Sequence, residues 1–383
     1  MKIPLAFLQL THEKIRLIIA LAGITFADVL MFMQLGFRDA LFDSAVRLHK
    51  SLEGDVFVLN SKSDSFTALR SFSQRRLYDI LGVNNVESVI PMYVGLSNWK
   101  NPVERQTRSV FVIGLNPSIN TINLPGIAEN ISVIKQQDTV LFDRSSRKEF
   151  GPIAEFFDQG KTVTTEIGNR QIKVGGLFSL GTSFGADGTI ITSDVNFLRL
   201  FSARQQGLID LGVIQLKPNT NVEATLKFLR DNFSHDDIQF FSKEELIAHE
   251  KSFWQNRTSI GFIFTLGTIM GFVVGTVIVY QILYTDVADH LPEYATLKAM
   301  GYTDFYLLTL VFQEAIILGI IGFLPGFGFA MFMYINAAKA TGLPIMMTLA
   351  RAMTVLILTV IMCCLSGGVA VGKLRAADPA DIF

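Results

Sequence analysis

The chain has 383 residues, of which 50% are hydrophobic and only 17% charged, with a formal net charge of −1. Soluble domains average about a quarter charged residues, and near-neutrality removes nucleic acid and other polyanions from the candidate partners. The two cysteines, Cys363 and Cys364, are adjacent inside an apolar run. Neighbours on a helix diverge by about 100° and cannot meet the facing geometry of a disulfide, so they read as apolar filler.

Residues 1–16 place Leu5, Leu8 and Ile15 at helical spacing among Gln9, Thr11, Glu13 and Lys14, the pattern of an interfacial helix on the inner leaflet, the alternative being a cytoplasmic extension of the first span. Residues 17–37 form the first run that reaches the about 20 apolar residues a span requires, interrupted only by Asp28. A mid-membrane carboxylate costs roughly 2.5–3.5 kcal/mol. About ten Leu, Ile, Val and Phe residues return roughly 0.3–0.6 kcal/mol each, so insertion is still favoured. The run exceeds a signal-peptide core and has no clean small-x-small cleavage site, so it reads as an uncleaved anchor.

Residues 38–257 have the composition of an α+β domain and, without cysteine, must hold together by their own core. Strands are expected at 54–60, 86–96, 108–115, 161–178, 189–192, 212–216 and 237–241 from alternation and β-branched content. Helices are expected at 66–81, ending at Gly82, at 221–233 and at 242–254. The last opens Ser242, Lys243, Glu244, Glu245, which is capping chemistry, and is expected to run straight into the next span.

Three further runs follow: residues 258–284, without charge; 305–335, containing Glu314 and Pro325; and 352–371, without charge. They leave a loop at 285–304, a short loop at 336–351 and a tail at 372–383. Lys2, Lys14 and Arg16 precede the first run and Lys373 and Arg375 follow the last. The positive-inside rule then puts both termini and the 285–304 loop in the cytoplasm, with 38–257 and 336–351 outside. The fold class expected is an α-helical membrane protein with four transmembrane helices and an extracytoplasmic, periplasmic α+β domain between the first and second. Asp28 reads as a structural group within the bundle. Glu314, near the inner start of its span, reads as hydrated at the membrane edge. Pro325, between Gly322 and Gly326, is expected to kink or break its helix.

Sites for chemistry are sparse. Histidines 12, 49, 235, 249 and 290 make no HExxH or other ligand spacing, and no GxSxG elbow occurs. Residues 367–373, GGVAVGK, imitate a phosphate loop. Leu374 stands where Ser or Thr would bind magnesium, and the segment follows a span rather than a strand. Asn130, Asn232 and Asn256 head N-x-S/T sequons, a short pattern that carries no meaning in a bacterial protein. No catalytic residue, cofactor site or metal site is expected.

The informative stretch is residues 292–301, PEYATLKAMG. Pro292 suits a first helical turn and Gly301 the position past the end. Glu293 and Lys298 complement the helix dipole. Tyr294, Leu297 and Lys298 share a face, read as exposed, which suits either a plain connector between spans or a docking helix for a cytoplasmic partner. This segment resembles the coupling helix of permeases in the macrolide-exporter and FtsX superfamily of ABC transporters, where R-E-x-G-x-x-[KR]-A-x-G follows the second span. Glu293, Lys298, Ala299 and Gly301 match; Pro292 replaces the Arg and Ala295 the inner Gly. The order of one span, a large outer domain and three spans is similar across the whole chain. The ending LRAADPADIF resembles the family's LRxxDPxxxL tail through Leu374, Arg375, Asp378 and Pro379. Residues 22–46 and the HLPEYATLKAMGY stretch are similar to cyanobacterial DevC-type permeases.

The resemblance implies an inner-membrane, non-catalytic homodimer. ATP would be hydrolysed on a separate ABC ATPase subunit that docks at Glu293, Tyr294, Leu297, Lys298 and Gly301. It further implies a periplasmic membrane-fusion adaptor, a TolC-like outer-membrane duct reached through it, and export of a lipid-like substrate, a glycolipid in the DevC-type case, by transmitted motion. Other expectations within reach are an FtsX-like regulator of a cell-wall hydrolase and a lipoprotein-releasing permease. A membrane sensor would need a cytoplasmic effector domain, and a membrane enzyme meets an empty motif search.

Overall fold

The computed structural model describes residues 14–183, 185–233 and 235–376. The expected surface helix therefore lies almost wholly outside the described residues, as do Asp378 and Pro379. Contact clustering separates two units: one holds the residues up to 40, 259–341 and 345 onward, the other 41–258 and 342–344.

Among the described residues, four helices are long and apolar enough to cross a membrane: α1 (Lys14–Ala45), and, near the other end of the chain, Ser259–Asp289, Leu308–Thr341 and Leu349–Val371. The outer unit contributes α2 (Arg47–Ser51), α3 (Asp194–Leu200), α4 (Val222–Phe233) and α5 (Lys243–Ser252). The membrane-length helices after it are α6 (Ser259–Asp289), α8 (Asp304–Thr341) and α9 (Leu349–Ala376), with the short α7 (Leu291–Ala299) between α6 and α8.

In the helical unit, α9 packs along both α6 and α8. Apolar burial drives helix association weakly in lipid, so close backbone approach and directional polar contacts have to do it. Gly275 shows the first: a Cβ there would stand 2.3 Å from Met362 Sδ and 2.6 Å from the Ala27 Cβ. The polar contacts tie α1 to its neighbours. The Tyr334 hydroxyl donates to the Phe32 carbonyl. Thr359 Oγ1 donates to Asp28 Oδ1 at 2.5 Å. Arg351 Nη2 and Nε donate to Asp39 Oδ2 at 2.8 and 3.2 Å, with the guanidinium 5.6 Å over the Tyr334 ring. The helix continues through Pro325 without a break, against the stronger form of the sequence expectation; membrane helices tolerate proline where packed neighbours absorb the lost bond.

The outer unit holds a mixed sheet. Its strands are β1 (Val56–Asn60), β2 (Phe72–Ser73), β3 (Val86–Lys100), β4 (Thr107–Leu115), β5 (Thr139–Asp143), β6 (Val163–Ile167), β7 (Arg170–Phe178), β8 (Thr189–Ser193), β9 (Leu208–Ile209), β10 (Leu211–Leu216) and β11 (Ile238–Ser242). Nine of these described strands run in the order β11-β1-β10-β3-β4-β8-β5-β7-β6, while β2 and β9 pair separately. The length of β3 lets Trp99 also pair with Ile167 of β6. Alternating residues feed a core on each face of the sheet. Buried Trp99 donates Nε1–H to the Phe150 carbonyl at 3.1 Å.

Two expected helices differ. The 66–81 stretch is not one helix: β2 interrupts it by pairing Phe72 with Ile209, and Asn60 Nδ2 donates to the Ser71 carbonyl at 2.9 Å. Tertiary pairing overrides the helical spacing there. Nor does the 242–254 helix run on into the next span. It starts with the capping box at Ser242 and Glu245, then widens into a π-helical turn at Phe253–Arg257, and Thr258 is extended at φ −115°, ψ 156°. Thr258 Oγ1 donates to the Trp254 carbonyl at 2.6 Å, satisfying an acceptor that the broken ladder leaves open.

Candidate functional site

The candidate site is the inner end of the helical unit, where α6, α7 and α8 follow one another. Tyr294 N–H donates to the His290 carbonyl at 3.1 Å, which starts α7 almost directly on the end of α6. Pro292 occupies the first turn, where no donor is lost. The exit is set by Gly301 at φ +93°. Tyr302 N–H reaches back to the Leu297 carbonyl at 3.1 Å, the six-to-one bond of a Schellman motif. A side chain at Gly301 would strain this left-handed turn.

α7 lies with its aromatic side inward. Tyr294 is 1% exposed and packs with Val287, Leu310, Val311 and Val371, with Leu291 and Leu297 against the same cluster. This corrects the expectation of an exposed tyrosine and leucine: the apolar face of a short helix is the one the protein buries. Pro292, Glu293, Thr296, Met300 and Gly301 make up the exposed side. The Lys298 side chain lies outside what the structure describes.

Beside α7 stands a group of charges. Arg16 Nη2 donates to Asp289 Oδ2 at 2.6 Å, and its Nη1 lies 4.0 Å from Asp286 Oδ1. His290 Nδ1 lies 3.8 Å from that same carboxylate oxygen. Glu314 is 0% exposed, and neither carboxyl oxygen has a hydrogen-bond partner among the described residues. The reading of Glu314 as a hydrated edge residue is therefore wrong: sequence position along a span sets depth but not which side of the helix faces the bundle. Asp28 is likewise fully buried, bonded through Oδ1 to Thr359 and packed against Gly326, a setting that suits a structural group. Asp28 and the α7 residues belong to different places in the unit. One structural group escaped sequence reading altogether: Arg351 is buried on Asp39, whereas in sequence it counts only as a loop cation. The signal available was a single opposite charge at the outer end of the first span.

Residues 262–379 match the model of the FtsX-like permease C-terminal family. This stretch carries an FtsX-like permease domain. α7 lies inside it, between α6 and α8, and the first long apolar helix and the sheet domain lie before it. Among the solved structures that resemble about half of the chain are two extracytoplasmic domains. The periplasmic region of MacB from Actinobacillus actinomycetemcomitans is 12% identical, covering 51% of this chain and 91% of that one with a TM-score of 0.34. The extracellular domain of the noncanonical ABC-type transporter YknZ from Gram-positive bacteria is 15% identical, covering 49% and 99% with a TM-score of 0.32. No curated protein matches the chain.

In the outer unit, Glu250 ties three segments together. Its Oε1 accepts from Trp254 Nε1 at 2.8 Å, its Oε2 accepts from Phe66 N–H at 2.9 Å, and His49 Nε2 lies 3.4 Å away. The Phe66 ring lies tilted against His49, with centroids 3.9 Å apart and planes at 48°. Nearby, burial pushes the Arg47 guanidinium below its ordinary value despite Asp143 and Asp43. Burial also raises the Asp143 carboxyl, although three backbone N–H groups bond it. Among the described residues no group of three or more histidine, cysteine, aspartate or glutamate side chains is arranged to hold a metal.

Proposed function

We propose that this chain is the permease subunit of an ABC exporter that receives ATP-driven motion from a separate ATPase at α7 and passes it to a periplasmic α+β domain. On this reading the chain is a homodimer in the inner membrane, with its termini and α7 cytoplasmic. The outer domain engages a membrane-fusion adaptor that leads to a TolC-like duct. The substrate is lipid-like, a glycolipid if the likeness to DevC-type permeases extends to cargo. The chain itself does no catalysis.

The observation that carries the reading is α7 itself. It is a short helix closed by a Schellman motif, seated by a buried tyrosine, presenting Glu293 and Thr296 outward, inside the segment that matches an FtsX-like permease domain. A helix pinned through its apolar face passes a push on its exposed side to the spans beneath, because packed interiors deform little. Glu293, Lys298 and Gly301 remain the proposed ATPase-coupling residues, with Leu297 half-buried at the margin between that surface and the Tyr294 cluster. Tyr294 takes the role of the anchor under them. The test is co-purification of a candidate ABC ATPase co-expressed with this chain. Leu297→Asp combined with Lys298→Glu is expected to abolish capture, and undiminished capture removes the docking assignment.

A further inference from the structure

Glu314 is fully buried, neither of its carboxyl oxygens has a hydrogen-bond partner among the described residues, and it sits one helical turn from Leu310 and Val311, on which Tyr294 rests. An isolated buried carboxylate is costly in a low-dielectric interior unless something positive joins it. Among the described side chains at this end of the bundle none supplies that charge; those of Lys298, Lys373 and Arg375 lie outside what the structure describes. From α6 comes Asp286, itself a buried carboxyl group. The Arg16 guanidinium of α1 is engaged by Asp289 and Asp286. His290 turns its ring to the Asp286 side. α7 presents Tyr294, and residues 352–371 of α9 contain no ionisable group but Cys363 and Cys364.

We propose that Glu314 holds an exchangeable monovalent cation, a proton or an alkali ion, one helical turn from the residues that seat Tyr294. A buried carboxyl group without a protein partner is stable when a bound cation neutralises it. The occupant neutralises the inner core of the bundle, and its release leaves a buried charge that only a rearrangement of α6, α7 and α8 relieves. The cation thus reports on, and biases, the seat of Tyr294. This last link rests on the coupling reading above; the presence of the cation does not.

The test needs no ATPase. The full-length chain in lipid nanodiscs is treated with dicyclohexylcarbodiimide. This apolar reagent adds across a carboxyl O–H to form an acylurea without a leaving group, and the adduct is mapped by mass spectrometry. An adduct at Glu314 that sodium chloride suppresses, relative to choline chloride at equal ionic strength, identifies an alkali ion. An adduct indifferent to sodium and lost as pH is raised identifies a proton. No adduct at Glu314 in folded protein, or one that neither sodium nor pH changes, overturns the proposal. In parallel, the thermal midpoint of the wild-type chain should respond to the same cation, Glu314→Gln should lose that response, and Asp28→Asn should keep it. Should Glu314→Gln fail to fold, the labelling of the wild-type chain decides alone.

Discussion

Truncating Tyr294 to alanine separates an anchor from a docking contact. The ring is 1% exposed against Val287, Leu310, Val311 and Val371, so its removal leaves a cavity of roughly 100 Å³, worth about 2.4 kcal/mol at the cavity coefficient of core truncations. That loss falls on the local opening of α7, a nine-residue helix too short to persist without its packing. At 1.36 kcal/mol per decade, amide exchange in α7 should accelerate by about 60-fold. Hydrogen exchange with mass spectrometry on peptides covering residues 291–300 reads this directly, in nanodiscs and without a partner. Tyr294→Phe, which keeps the ring, should stay within about tenfold of the wild-type exchange rate. ATPase capture should fall with Tyr294→Ala in step with the exchange rate. If Tyr294→Ala left α7 protected while capture was lost, the ring would be touching the partner rather than holding the helix, and the anchor argument would fail.

Asp39→Asn should lower the thermal midpoint of the chain, because it strands the buried Arg351 guanidinium. The double variant Asp39→Asn with Arg351→Met should recover part of that loss, which a thermal double-mutant cycle measures. Glu250→Ala leaves the Phe66 N–H and the Trp254 indole N–H without their acceptor. The expected cost is about 1–3 kcal/mol for each orphaned group, read as a lower unfolding midpoint with altered tryptophan emission. The Lys100 ammonium bonded to Glu166 at 2.7 Å holds that carboxyl below its ordinary value of 4.5. A folded value below the unfolded one stabilises at neutral pH and is lost as pH falls through the lowered value. Glu166→Gln should therefore flatten the acid limb of the stability profile, and an unchanged limb would remove that cross-strand pair from the account.

The parts of this molecule legible in sequence are those written in period and composition. The spans announce themselves by length, and Ser242 with Glu245 announces a helix start by capping chemistry. β5 does not, because Thr139–Asp143 is buried on both faces and so lacks alternation. α3 is missed because seven residues give too few turns for a helical period to show. The break within 66–82 depends on β9, far along the chain, and no local rule foresees it. At the candidate site, Gly301 was readable because its role is local backbone geometry. Tyr294 and Glu314 were misjudged because exposure depends on which neighbours stand beside a helix, and a single chain's pattern carries no such neighbour.

Most of the described polar contacts between helices of this unit converge on α1, which lies outside the matched segment, while Ser366 Oγ, donating to the Thr276 carbonyl at 2.8 Å, joins α9 to α6. Arg16 joins α1 to α6 through Asp289, Phe32 to α8 through Tyr334, and Asp28 and Asp39 to α9 through Thr359 and Arg351. Apolar helix faces slide in lipid at little cost, whereas a buried hydrogen bond or ion pair fixes register. A displacement entering at α7 meets α8 and α9 through the Tyr294 cluster, which includes Leu310, Val311 and Val371. Both of those helices are pinned to α1 further along their length. On the proposed coupling, α1 would then follow α8 and α9 rather than let them slip past it, which would make the first span a driven element of the bundle and not a passive anchor.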